Sequence, residues 1–144
     1  MMAVVPATPR AVAPARRCAY TVIRRVFERG AYADEALQAQ SRDLDARDRA
    51  FTMRLAYGAV QRRDTLDSLL ARLAGRAPGQ LDGNVLAALR LGLYELVYLD
   101  GAPDYAVVTD AVELAKEGGR GHGLVNAVLR RAAREGPELS LIHI

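Results

Sequence analysis

The sequence predicts an all-α domain, and three observations carry that prediction. Apolar residues recur at three- and four-residue spacing in about seven segments, and no stretch alternates apolar with polar residues as a half-buried strand does. The 51% hydrophobic content includes only 6% aromatics and no Trp, so it consists mostly of Ala, Leu and Val, the residues of packed helices. Gly and Pro fall between the periodic segments, as at Gly75 and Pro78 and again at Gly101 and Pro103. A chain of 144 residues can bury roughly 68 to 70% of its unfolded surface, enough for a core without disulfides or metals.

Residues 1–14 are rich in Ala, Pro and Val without a period, and proline fixes φ and removes a donor, so a flexible arm is expected. The first helix is predicted over residues 15–29, with Ala15, Ala19, Val22, Ile23 and Val26 on one face and Gly30 just past its end. A short second helix is expected over 34–40, with Asp34 as N-cap and Ala36 and Leu37 inward. The third, 45–61, carries Ala50, Met53, Tyr57 and Val60 at helical spacing, and Gly58 leaves room for a close crossing. Leu66, Leu69, Leu70 and Leu73 mark a fourth helix. The fifth, 84–99, is apolar on more than one face through Val85, Leu86, Leu89, Leu93, Leu96 and Val97, and should be central. A sixth, 105–116, follows through Val108, Ala111, Val112 and Ala115, and a seventh, 124–134, through Leu124, Val128, Leu129 and Ala132. Tyr57, Tyr94, Tyr98 and Tyr105 sit at spacings that suit packing.

The net charge of +3 hides an asymmetry. Residues 1–27 hold five arginines and no acid, residues 120–134 four arginines and no acid, and the middle is acidic. Two basic ends around an acidic middle raise the question of nucleic acid. On the first helix Arg17, Thr21 and Arg24 lie opposite the apolar stripe, flanked by Arg16 and Arg25. Arginines one heptad apart stand about 10 Å apart along the axis, a reach that suits successive phosphates. On the last helix Asn126, Arg130 and Arg134 form a similar row, and Arg62 and Arg63 make a third cluster at the end of the third helix. These ten residues are the candidate RNA contacts. The competing reading is a solvated face, since Lys116 is the single lysine and the composition as a whole favours Arg.

Other chemistry is not legible. One cysteine, Cys18, forms no internal disulfide and no zinc spacing with His122 and His143, which fits a reducing, cytoplasmic compartment. The most apolar stretch, 85–99, is too short to span a bilayer and contains Arg90 and Glu95. Prolines interrupt any signal-peptide core, and the first stretch lacks the Ser of a transit peptide. The run Gly118-Gly119-Arg120-Gly121-His122-Gly123 lacks both the spacing and the preceding strand of a phosphate loop and reads as a flexible connection. No nucleophile and base are paired, and His122 has no carboxylate or thiol beside it in sequence.

Several motifs together resemble the NusB-like RNA-binding domain. They are Asp48-Arg49-Ala50-Phe51 with Leu55, Tyr57 and Gly58; the stretch LAALRLGLYELVYL at 86–99; Pro103 followed by Ala111-Val112-Glu113-Leu114-Ala115-Lys116; and Leu124-Val125-Asn126-Ala127-Val128-Leu129-Arg130. The resemblance implies a helical domain over residues 15–135, built as two small packed bundles. It also implies one of two branches: a free-standing transcription antitermination factor, which binds RNA through its basic first helix and pairs with a small-subunit ribosomal protein, or the N-terminal domain of a ribosomal RNA cytosine-5 methyltransferase that uses S-adenosylmethionine. The run LVNAVLRR at 124–131 and Tyr57-Gly58-Ala59-Val60-Gln61-Arg62-Arg63 look more like the methyltransferase branch, whose catalytic domain has no counterpart here. Thr109-Asp110 stands where the family usually has Asn-Glu, which puts any helix–helix hydrogen bond from that Asn in doubt. Residues 136–144 are expected to be a tail, and Leu139-Ser140-Leu141-Ile142-His143-Ile144 looks like translated sequencing adapter rather than native protein. A helical protein-interaction domain without RNA is the remaining alternative.

Overall fold

Proline suits the first position of a helix because its missing donor would go unused there, and α1 (Pro14–Arg29) begins on Pro14 in the computed structural model, which describes residues 11–136. Ala15, Ala19, Val22 and Ile23 are buried as their spacing predicts, and the helix ends at Gly30 in the left-handed conformation. Six helices follow: α2 (Ala33–Gln40), α3 (Ala46–Gln61), α4 (Arg63–Ala74), α5 (Gly83–Tyr98), α6 (Asp104–Gly118) and α7 (His122–Glu135), with a 3₁₀ turn at Pro78–Gln80 that the sequence pattern did not announce. Among the described residues there is no strand.

Helices α1, α2 and α3 pack on one another as one bundle, and α4, α5, α6 and α7 as a second. α5 joins the two, since it packs against α1 and α3 as well as against α4, α6 and α7. That position explains its composition: Val85, Ala88, Leu89, Leu91 and Leu93 are buried, covering more than one face. Close approach is allowed by small residues. A Cβ on Gly92 would sit 2.6 Å from Leu129 Cδ1 of α7, and one on Gly58 would overlap the Tyr94 ring, so the close crossing expected at Gly58 is the one between α3 and α5.

Three expectations, about the inner face of α3, the cap of α2 and Tyr105, need correction. Asp45, whose side chain accepts from the Asp48 backbone N–H at 2.8 Å, caps α3 as its type suggests, but Thr52, Leu55, Ala56 and Ala59 form the buried face. Ala50 and Met53 lie outside, and Met53 lines a surface hollow with Leu37 and Ser41. Asp34 does not cap α2; Tyr32 occupies the cap position, and Asp34 accepts a hydrogen bond from the Tyr57 hydroxyl. Tyr105, expected to pack, is 68% exposed.

The junction of the two bundles is polar at its centre, and it overturns one assignment. Arg16 is 6% exposed, turned inward from the face it was expected to flank. Its Nε and Nη2 donate to Glu95 at 2.9 and 2.6 Å, and its Nη1 donates to Asp110 at 2.9 Å. Asp110 also accepts from the Ala13 backbone N–H at 3.2 Å, and Val12 is buried, so the chain is anchored before the helix begins. Of the expected arm, residues 1–10 lie outside the described residues, as do residues 137–144 of the expected tail. A buried guanidinium is tolerated here because two carboxylates take its donors, and the Glu95 hydrogen bond leads the effects that hold it in the charged form. Of the Thr109-Asp110 pair, Thr109 is exposed, and it is the buried Asp110 carboxylate that bonds α6 to α1 through Arg16.

Candidate nucleic-acid interface

The outer face of α1 carries Arg17, Thr21 and Arg24 in one row, with Arg25 beside it, as the helical spacing requires. Arg17, Thr21, Arg24 and Arg25 are all at least partly exposed. They are not as free of acid as α1 alone suggests. Arg17 donates to both carboxylate oxygens of Glu117, at the end of α6, at 2.5 and 3.0 Å. Arg24 donates to both oxygens of Glu28, one turn on, at 2.7 and 2.9 Å. The Arg17 hydrogen bond holds the Glu117 carboxyl below the usual carboxylate range, and the Arg24 guanidinium is held even more firmly protonated than usual, chiefly by its bond to Glu28. Both pairs are solvent-accessible, so each contributes at most about 1 kcal/mol and can be exchanged for a phosphate.

Glu117 belongs to a segment that carries further cations. Lys116 precedes it and Arg120 follows, and both are exposed. The segment is held against α5 by Asn84, a buried side chain whose Nδ2 donates to the Ala115 and Arg120 carbonyls, each at 2.9 Å. Gly121 has φ 101°, and a Cβ there would meet Val85 Cγ2 at 2.5 Å. The connection is therefore a short packed turn, rather than the flexible loop expected, and its glycines are used for packing against α5. Neither Asn84 nor the turn was identified as functional in the sequence. The signal available was an Asn at the start of the most apolar helix.

Arg62 and Arg63 separate although they are consecutive. Arg63, the first residue of α4, lies 5.8 Å from the centre of the Phe27 ring at the end of α1 and lines a hollow with Arg24 and Glu28. Arg62 is turned to α5, 4.3 Å from the Tyr98 ring centre. The α1 face and Arg63 thus meet at the hollow that Arg24 and Glu28 line, and the Arg17–Glu117 pair sets the end of α6 beside them, so Arg17, Arg24 and Arg63 lie close to Glu28, Asp64 and Glu117. The α7 row does not join them. Arg130 and Arg134 line a separate hollow with Asp104, Tyr105 and Thr109 of α6, and Asn126 accepts from Arg130 Nε at 2.9 Å. Arg16 is removed from the candidate set by its burial, since both of its carboxylate partners are internal and no phosphate can reach it.

Chemically this surface offers multidentate guanidinium donors, a hydroxyl and an aromatic ring, a set suited to a polyanion that carries planar groups. Among the described residues no group of His, Cys, Asp or Glu could hold a metal ion, and no helix is long and apolar enough to cross a membrane.

Residues 13–134 match the NusB family. The chain belongs to that family. It is 39% identical over 125 residues to the probable ribosomal RNA small subunit methyltransferase B of Synechocystis sp., an alignment covering 83% of this chain but 28% of the relative. It is 34% identical over 125 residues to the transcription antitermination protein NusB of Xanthomonas campestris, covering 84% of this chain and 79% of that protein. The chain therefore spans little more than a quarter of the methyltransferase relative. In structure it is similar, at TM-score 0.77 and 25% identity, to a chain in the crystal structure of the antitermination factors NusB and NusE in complex with double-stranded RNA, covering 84% of this chain and 94% of that one. The all-helical NusB-like fold expected from the motifs is the one observed.

Proposed function

We infer that this chain is the RNA-binding domain of a small-subunit ribosomal RNA (cytosine-5) methyltransferase, and that its α1 surface holds ribosomal RNA in the cytoplasm for a catalytic domain in the same polypeptide. The observation that carries the inference is the convergence of Arg17, Thr21 and Arg24 with Arg63 and the Lys116–Arg120 segment on one face of a NusB-family fold. A structural relative of that fold is described in complex with RNA. The methyltransferase branch is favoured by the 39% identity to a protein of which this chain spans 28%, and by the LVNAVLRR run at 124–131.

S-adenosylmethionine belongs to the catalytic domain in this reading. The residues described do not fit it: the glycine run at 118–123 follows a helix rather than a strand, and its glycines face Tyr20, Asn84 and Val85. No step of methyl transfer is assigned to this chain.

The second reading is a free-standing antitermination factor paired with a small-subunit ribosomal protein. It is favoured by the 79% of the Xanthomonas campestris protein that the chain spans. Mapping 5-methylcytosine in small-subunit ribosomal RNA with and without the gene separates the two. Loss at one cytosine, restored fully by the whole gene and only in part by the same gene carrying Arg17→Ala and Arg24→Ala, is the expected result. Unchanged methylation together with defective antitermination would select the second reading.

A further inference from the structure

We propose that the hollow between α1, α4 and α5 is a seat for one unpaired nucleobase of single-stranded RNA, received against the Phe27 ring and the Arg63 guanidinium. The proposal rests on the RNA-binding reading above and gives that surface a preference for RNA form that phosphate contacts alone cannot supply.

The hollow has a volume of about 180 Å³ and is lined by Arg24, Phe27, Glu28, Arg63, Leu86 and Arg90 among others. At about 30 Å³ per water it holds roughly six waters, the space of one heteroaromatic ring with its substituents. Phe27 is only partly buried, although it packs on the core, so part of its ring remains available. It is fixed from within: the Arg90 guanidinium lies 4.4 Å from its ring centre and is itself locked to Asp67 by two bonds of 2.9 Å.

Arg63 differs from Arg90. Its side chain is 52% exposed, and its ion pair is a long one, 3.6 Å to the exposed Asp64. A base lying between two planes needs about 7 Å, two contact distances of about 3.5 Å. The Arg63 guanidinium stands 5.8 Å from the Phe27 centre, so an exposed side chain has to move by little more than 1 Å. Bases stack readily on aromatic rings and on guanidinium planes, and such contacts tolerate any base.

Glu28 gives the hollow an edge. Arg24 holds its carboxylate, which a Cβ on Gly83 would meet at 2.8 Å, so the oxygens are fixed at the first residue of α5. Each oxygen keeps a further lone pair, and the pair can accept from an exocyclic amino group, which cytosine carries and uracil lacks. Charge complementarity brings the strand here, because Arg24 lines the hollow and Arg17 continues the same row along α1.

The test uses three probes: an oligocytidine, an oligouridine of equal length and an RNA duplex. The unaltered chain should bind oligocytidine more tightly than oligouridine. Phe27→Leu and Arg63→Lys should each weaken oligocytidine binding roughly tenfold, leaving both the salt dependence and the affinity for duplex unchanged. Arg63→Lys is exposed and keeps the charge, so its result does not depend on folding. Equal losses on duplex and single strand, or no loss in either variant, would overturn the seat. Arg17→Ala with Arg24→Ala separates the two levels. If that pair weakens all three probes while the Phe27 and Arg63 variants do nothing, the seat alone is wrong; if that pair too has no effect, the RNA-binding reading has failed.

Discussion

Arg16 and Arg17 are adjacent in sequence and have opposite roles. A 100° step on α1 turns one guanidinium into the junction of the bundles and the other to solvent. The sequence placed Arg17 and Arg24 on the outside because they oppose the Ala15, Ala19 and Val22 stripe, and Arg25, at the flank of that face, is exposed as well. It misplaced Arg16, whose partners Glu95 and Asp110 lie 79 and 94 residues away. A trace of that pairing was present: Glu95 is the single acid of the apolar helix α5, and Asp110 lies in line with Val107 and Leu114 on the inner side of α6, so each needs a cation. Arg16→Ala should destabilise the fold by about 3 to 5 kcal/mol in urea unfolding, because it leaves two carboxylates buried and unpaired. A loss below about 1 kcal/mol would mean that water reaches them. Glu117 allows an opposite experiment. Its depressed pKa means that the Arg17 pair contributes above the ordinary carboxylate range and is lost as pH falls through the folded value, a small effect at so exposed a site. Glu117→Gln should therefore leave stability near neutral pH almost unchanged and tighten RNA binding two- to threefold, with the slope in log salt nearly unchanged, because Arg17 makes the same phosphate contact but no longer has to leave a carboxylate to do so. Weaker binding would show that the Arg17–Glu117 pair, rather than Arg17 itself, shapes the surface.

At the scale of the helix, existence and order were legible, since the apolar residues and the Gly and Pro stops are set locally. The buried face was legible only where one face is clearly apolar, as in α1, α4 and α7. Helix α3 has Met53, Tyr57 and Val60 on one side and Leu55, Ala56 and Ala59 on another, and tertiary contact chose the side that also buries Thr52. Thr52 is accommodated there because its hydroxyl donates to the Asp48 carbonyl at 2.7 Å. Gly58 marks where α3 meets α5, so Gly58→Ala should cost about 1 to 3 kcal/mol through its clash with the Tyr94 ring. In a Tyr94→Ala background the same substitution should cost markedly less, and equal costs in both backgrounds would place the penalty elsewhere than in that contact.

The molecule as a whole is two bundles sharing α5, and the basic side chains of α1 and of the start of α4 meet on one face, with the end of α6 beside them. The convergence was not legible, because the periodicity of one helix says nothing about the position of another. For the same reason the α7 row looked equivalent to the α1 row in sequence and lies apart from it in space. The glycine run at 118–123, the one described segment that resembles a cofactor loop in composition, follows a helix and packs on Tyr20, Asn84 and Val85, so incubation of this chain with S-adenosylmethionine and undermodified ribosomal RNA is expected to yield no methyl transfer; counts above background would show a site within these helices. The central claim is that the α1 face binds RNA through phosphate contacts, and it is tested most directly by the salt dependence of RNA affinity. Arg17→Ala with Arg24→Ala should weaken binding and make the log–log slope shallower by roughly 1 to 1.5, at about 0.7 per single-strand contact, whereas the exposed control pair Arg47→Ala with Arg72→Ala should leave the slope nearly unchanged. Equal losses of affinity and slope in the two pairs would contradict the account, because the charge would then act only through its total.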